Sequence, residues 1–236
     1  MITALMNEVV QGPEKTERFQ RVVFINPTME TSRRGIFPSQ AVVVTTAARR
    51  LIELSKAGER LDHIVVKGDV DPTLHPDFRE ISENLRELCN KWYPKAALTL
   101  LSASLGLDDP DVRQTLSVYD KPILSLQAGT QKTFAKITGE KPAAFKDVVE
   151  NLEKVELERI IIEGRFVRGG ADNSTANEVK AWLRYLVAAR PGAVQITTLD
   201  KPLPDQKLKP VTKTRLEEIA NMVADKTGLP VEICPE

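Results

Sequence analysis

The chain has 236 residues, 42% hydrophobic and 28% charged, and its 33 basic and 33 acidic side chains cancel. That length suits one barrel-sized domain or two small ones, and the zero balance argues against a nucleic-acid or membrane-surface partner. No apolar run approaches the ~20 residues of a membrane span, and Met1 to Arg18 is too acidic and too briefly apolar for a secretory leader, so a cytoplasmic protein is expected.

Residues 1–19 are mixed and polar around Gly12-Pro13 and read as a short arm or a loose first helix. Arg21 to Ile25 is a short apolar run closed by Asn26-Pro27, the pattern of a parallel strand buried on both faces. A loop follows over residues 28–40, with Arg33-Arg34-Gly35 and Pro38. From Val42 to Ala57 the residues Val43, Ala47, Leu51 and Leu54 share one helical face, and Gly58 stops the helix. Ile64-Val65-Val66 is the second strand. Behind it Phe78, Ile81, Leu85, Leu88, Cys89 and Trp92 fall on one stripe at spacings of three and four, with Pro76 and Asp77 at the helix start. Cys89 on that stripe reads as a small core residue.

The third strand is Ala96 to Leu101, and Asp108-Asp109-Pro110 opens a short helix to Leu116. Ile123 to Leu126 is the fourth strand, followed by a helix from Thr130 to Ile137 and another carrying Phe145, Val148, Val149 and Leu152. Ile160 to Phe166 is the fifth strand, and Arg168 to Ser174 is a glycine-rich loop. Ser174 suits the N-cap of a helix carrying Val179, Trp182, Leu183 and Leu186. Val194 to Thr198 is the sixth strand, with a proline-rich loop from Leu199 to Pro210. Thr214 and Glu217 form a capping-box pattern for the last helix, Gly228 ends it, and Val231 to Ile233 adds a short final strand.

Strand and helix thus alternate about six times, at the spacing of βαβ units. Six or seven units suit an α/β fold of parallel strands with outer helices, a partial (βα)6 TIM-like barrel over residues 20–236 after the arm at 1–19. A doubly wound sheet is the competing architecture. In either, ligands sit at the carboxyl ends of the strands.

Several residues lie at those ends. Asp69 and Asp71 suit either an ammonium or cation ligand or the N–H groups of the next helix. Arg165 and Arg168 suit a carboxylate or phosphate, or solvated heads on packed stems. His63 reads as structural, and His75 as a capping or packing residue rather than a general base, which would need an orienting partner. Two cysteines, Cys89 and Cys234, and two histidines are too few for a thiolate or histidine metal centre.

Asp71-Pro72-Thr73-Leu74-His75-Pro76-Asp77 resembles the Glu-Pro-Thr-Leu-His-Pro-Asp run that ends the second strand of a group of iron–sulfur oxidoreductases among the radical S-adenosylmethionine enzymes. Leu105 to Val112, Ser125-Leu126-Gln127-Ala128-Gly129, Gly170-Ala171-Asp172-Asn173-Ser174, Val194-Gln195-Ile196 and Lys201-Pro202 resemble later segments of the same group. The likeness covers roughly residues 61–233 and implies the partial barrel. The family's chemistry needs three cysteines spaced CxxxCxxC after the first strand, to hold a [4Fe–4S] cluster whose open iron chelates S-adenosylmethionine. Residues 27–45 contain no cysteine. The family's Gly-Gly-Glu is Asp69-Val70-Asp71 here, its Thr-Asn-Gly is Ser102-Ala103-Ser104, and the Asp of its Ser-Leu-Asp-Ala is Gln127.

The resemblance implies a degenerate radical-SAM-like protein without its own cluster. It would bind a small ligand or a protein partner at the barrel mouth, with Asp69, Asp71, Ser102, Gln127, Arg165, Arg168 and Thr198 as ligand-binding residues. No catalytic residue and no metal ligand is assigned. No cofactor is expected for this chain: S-adenosylmethionine is compatible with the resemblance but has no support without the cluster, and no iron–sulfur cluster is expected. Two alternatives stand beside it: a non-radical barrel enzyme using Asp69, Asp71 and Arg165, and an accessory subunit of a cluster-bearing enzyme. A homo-oligomer is also compatible; nucleic acid and membrane are not indicated.

Overall fold

The computed structural model describes residues 9–29 and 36–235. Two compact units divide in sequence between Pro122 and Ile123. In the first, β1 (Val10–Thr16) runs antiparallel to β2 (Gln20–Ile25), and β2, β3 (His63–Val66) and β4 (Ala97–Ser102) run parallel. The described part of the expected arm is therefore a strand from Val10 onward. Its residues alternate poorly because the register shifts between Gln11 and Glu14, and a bulge breaks the period-two pattern that reveals a strand. Residues 1–8 of that arm, and Arg33-Arg34-Gly35, lie outside the described residues.

Register places Val23, Ile64 and Leu98 side by side, and Ile25, Val66 and Leu100 two residues further on; all six are fully buried. Successive strand residues face opposite ways, so this apolar set forms one face. It is matched by the buried stripes of α1 (Gln40–Lys56), with Val43, Ala47, Leu51 and Leu54, and α2 (Phe78–Trp92), with Phe78, Ile81, Leu85 and Cys89. The opposite face carries Val22, Phe24 and Val65, closed by Phe19, with Leu101 packed against them. A short α3 (Pro110–Thr115) starts at Asp109, whose side chain accepts from the Asp111 N–H at 2.8 Å.

β5 (Lys121–Ser125), which enters the second unit at Ile123, is followed in that unit by its parallel neighbours β6 (Ile161–Gly169), β7 (Ala193–Thr198) and β9 (Val231–Ile233), in that order. The short β8 (Leu208–Pro210) pairs antiparallel with the far end of β6. That pairing carries β6 on through Arg168 and Gly169, so the loop read from Arg168 begins only at Gly170. The helices are α4 (Gln131–Thr138), α5 (Ala144–Leu152), α6 (Ala176–Ala189) and α7 (Lys213–Thr227).

Trp182 of α6 organises this layer: its indole N–H donates to the Leu126 carbonyl at 2.8 Å, and its ring meets Phe166 edge-on at 5.2 Å. A Cβ at Gly164 would stand 2.6 Å from the Trp182 ring, so the strand needs a glycine where the indole crosses it. Two caps differ from expectation. Thr175, not Ser174, caps α6, because Ser174 is drawn to the Asp172 carboxylate at 2.7 Å; and Thr212, not Thr214, caps α7. Mostly parallel strands with helices make the fold class α/β, as the sequence predicts. Among the described residues no helix is long and apolar enough to cross a membrane.

Candidate functional site

In the first unit the loop after β3 is built to hold itself. A 3-10 turn at Pro72–Leu74 starts from Asp71, which is 6% exposed. One carboxylate oxygen accepts from the Thr73 N–H at 3.1 Å; the other accepts from the Ser102 hydroxyl at 3.0 Å and the Leu105 N–H at 2.8 Å. Burial pushes the Asp71 carboxyl above the usual range, while the donors from Leu105, Thr73 and Ser102 pull it back. Asp71 and Ser102 thus tie the β3 loop to the β4 loop and turn to each other rather than outward. Ser102 also accepts from the Ser104 N–H at 2.9 Å, and Ser104 sits at φ 67°, the left-handed conformation that suits the glycine of the resembled pattern.

His75 is equally committed. The Asp77 N–H donates to its Nδ1 at 2.9 Å, which leaves the proton on Nε2 for the Pro38 carbonyl, also 2.9 Å away, and the ring stacks on Phe37. Gly68 lies so close to Thr28 that a Cβ would stand 1.8 Å from its hydroxyl, which itself donates to the Val70 carbonyl. Asp69 is the exposed acid of this loop. His63 is held through Nδ1 by Thr99 at 3.0 Å, and burial first, then the Lys121 charge, lowers its pKa.

The second unit presents a different surface. Leu124, Ile162, Val194 and Ile196 share the apolar face of its sheet with Phe166 and Gly164, against Trp182. By alternation the other face carries Ser125, Glu163 and Gln195 in one row, and Arg165 beside Thr197 in the next. Glu163 is 5% exposed, Gln195 is 9% and Thr197 is 1%; Gln195 donates to Glu232 of β9 at 3.0 Å. Gln127, two residues past Ser125, continues this side: the Leu126 N–H still bonds the Glu163 carbonyl at 2.9 Å. Asn173 clamps the strand ends. Its amide donates to the carbonyls of Gln127 and Arg165, each at 2.7 Å, and its oxygen accepts from the Val167 N–H at 2.7 Å.

Two buried atoms in that end row, Gln127 Oε1 and Thr197 Oγ1, have no hydrogen-bond partner among the described residues. Of the residues read from the sequence, Gln127 and Arg165 therefore come together. Thr198 does not join them: it lies on the opposite face, where its hydroxyl donates to the Phe166 carbonyl at 2.7 Å and accepts from the Val211 N–H at 2.8 Å. Arg168 is exposed beyond them, its Nε bonded to the Pro210 carbonyl at 2.9 Å. The sequence reading passes over Thr197 and Glu163; the signal for them is strand parity, which sets them one residue from Thr198 and two from Arg165.

Both thiols are buried, Cys89 on the α2 stripe and Cys234 just past β9. Burial pushes the Cys89 thiol up to about 12, so it is a protonated core group. Among the described residues no three His, Cys, Asp or Glu side chains gather where they could hold a metal ion.

No protein-family model matches the chain, and no curated protein matches it. Solved structures do. SuiB of Streptococcus suis, crystallised with its precursor peptide SuiA, superposes with a TM-score of 0.62 at 13% identity, over 91% of this chain and 48% of that one. A domain of a pyruvate-formate lyase-activating enzyme from Bacteroides vulgatus gives 0.54 at 12% identity, over 72% and 97%. Coproporphyrinogen III oxidase HemN of Escherichia coli, described as a radical SAM enzyme, gives 0.52 at 11% identity, over 94% and 55%. The chain spans about half the length of the SuiB structure it matches. At these identities the likeness is one of fold, and the chain has the radical-SAM-like fold, the α/β architecture of a partial TIM-like barrel.

Proposed function

We propose that this chain is a cluster-free protein of radical-SAM-like fold that binds a small polar ligand at the strand ends of its second unit. The reading is carried by the orphaned Gln127 Oε1 and Thr197 Oγ1 in the row of Arg165. A buried polar atom left without a partner costs about 1–3 kcal/mol, and two in one row ask for an outside partner. Gln127 Oε1 accepts from a ligand donor, Thr197 Oγ1 donates to or accepts from a ligand polar atom, and the Arg165 guanidinium takes a carboxylate. S-adenosylmethionine offers such groups, and SuiB has been crystallised bound to it.

A [4Fe–4S] cluster does not fit the residues present. It needs three thiolates from one loop, whereas the chain has two cysteines, both in cores and far apart in sequence. Asp71, the counterpart of the family's glutamate, spends both oxygens on its own loops. The role assigned to the chain is therefore binding, with no radical step.

Calorimetry with S-adenosylmethionine tests the reading. The expected result is saturable binding to the wild type, weakened at least about tenfold (~1.4 kcal/mol) in Arg165→Ala with an unchanged circular dichroism spectrum. No binding to the wild type, or equal binding by the variant, overturns it.

A further inference from the structure

The face of the first unit's sheet that lies away from its helices carries a second feature. Phe24, Val65 and Thr99 are neighbours in register, and the ladder runs one step further where the Lys67 N–H bonds the Ile25 carbonyl at 3.0 Å. Alternation then brings Asn26, Lys67 and Leu101 to the same side as Phe24, at the carboxyl ends of three parallel strands. Parallel α/β sheets carry their ligands at that end.

Lys67 is unusual in its surroundings. Its Nζ stands 3.8 Å over the Phe24 ring centroid, above the apolar cluster of Phe19, Val22, Phe24, Val65 and Leu101. Among the described residues this amine makes no ion pair and no hydrogen bond. Beside it, Asn26 is nine-tenths buried, and its Oδ1 has no hydrogen-bond partner among those residues. The charges that bear on Lys67 are Glu14 of β1 and Asp69 in its own loop. Both favour the ammonium, yet removal from water outweighs them and lowers the pKa of the amine. A lysine kept for stability gains most from a bonded carboxylate. This one rests over an aromatic face, which holds its ammonium, but burial works the other way and favours the neutral amine, the form that acts as a nucleophile, beside the unused Asn26 Oδ1.

We propose that Lys67 is a carbonyl-reactive amine and that this strand-end position holds a small aldehyde or ketone as an imine. The neutral amine adds its lone pair to the carbonyl carbon, and the oxygen takes up a proton as the nitrogen gives one up. The hydroxyl of the resulting carbinolamine donates to Asn26 Oδ1. Loss of that oxygen as water leaves the C=N bond, so no oxidant or reductant is consumed. The inference stands on the first unit alone and does not rest on the ligand proposed for the second.

The test uses the full chain, glyoxylate as the carbonyl and cyanoborohydride to reduce any imine to a stable amine, with the adducts mapped by peptide mass spectrometry. Lys213, whose side chain is 88% exposed, is the internal reference. Near neutral pH, Lys67 is expected to be modified several times faster than Lys213, because burial favours its neutral amine. Lys67→Arg keeps a cation over Phe24 and should lose the adduct, and Asn26→Ala should slow modification at Lys67 while leaving Lys213 unchanged. Modification of Lys67 no faster than Lys213 overturns the proposal, and that comparison is made within the wild type, whatever the variants do.

Discussion

Asp71 shows how one residue type serves two opposite ends. An acid before a helix reads equally as a ligand group and as a cap, and only the positions of Ser102 and Leu105, some thirty residues away in sequence, resolve the choice. In Asp71→Asn an NH2 group must face either the Thr73 N–H on one side or the Leu105 N–H and Ser102 hydroxyl on the other. Chemical denaturation should then show a loss of about 2 kcal/mol. The loss depends on pH. The folded pKa of Asp71 lies above its unfolded value, so its contribution is fully present below the ordinary carboxylate range and fades as pH rises through the raised value. The gap between wild type and variant should therefore narrow as pH rises above the ordinary carboxylate range; a gap that widens contradicts the burial-driven shift. Gln127 and Arg165 were legible because they end strands. Thr197 was not, because choosing between Thr197 and Thr198 needs the strand's face, and two adjacent threonines look alike until a neighbour such as Trp182 marks the helix side.

At the scale of elements, the helices were read well from their stripes, and their starts less well. Around α7 the sequence offers two candidate hydroxyl caps, Thr212 and Thr214, and α6 offers the Ser174–Thr175 pair. The hydroxyl that meets the right N–H depends on where the chain turns into the helix. Thr212 accepts from the Arg215 N–H, while Thr214 is exposed inside the first turn. Thr212→Ala should cost about 1 kcal/mol in thermal or denaturant unfolding, whereas Thr214→Ala should stay within about 0.5 kcal/mol. The reverse order would restore the capping box at Thr214. β1 and the last three residues of β6 escape the sequence for a shared reason. Both are strands by virtue of antiparallel partners, β2 and β8, and pairing across a chain reversal leaves little trace in a bulged or glycine-bearing segment.

For the molecule as a whole, the two-cysteine composition leads to a measurable outcome. Anaerobic reconstitution with iron and sulfide should leave less than about one iron per chain, against the four of a [4Fe–4S] cluster. Uptake of about four irons with cleavage of S-adenosylmethionine would sink the cluster-free reading. The repeated strand-and-helix periods, by themselves, determined the α/β class. Hydrophobic periodicity is local, and burying it leaves few arrangements for parallel units. The Asp71 to Asp77 run pointed to the radical-SAM-like fold that the solved structures share. Tertiary structure alone decided which side chains are spent and which are spare. Asp71, Ser102 and Thr198 are consumed by partners distant in sequence. The row of Gln127, Arg165 and Thr197, and the row of Asn26 and Lys67, come into being only when register sets neighbouring strands side by side. Whether a polar atom is satisfied depends on the three-dimensional position of its partner, and no spacing along the chain encodes that.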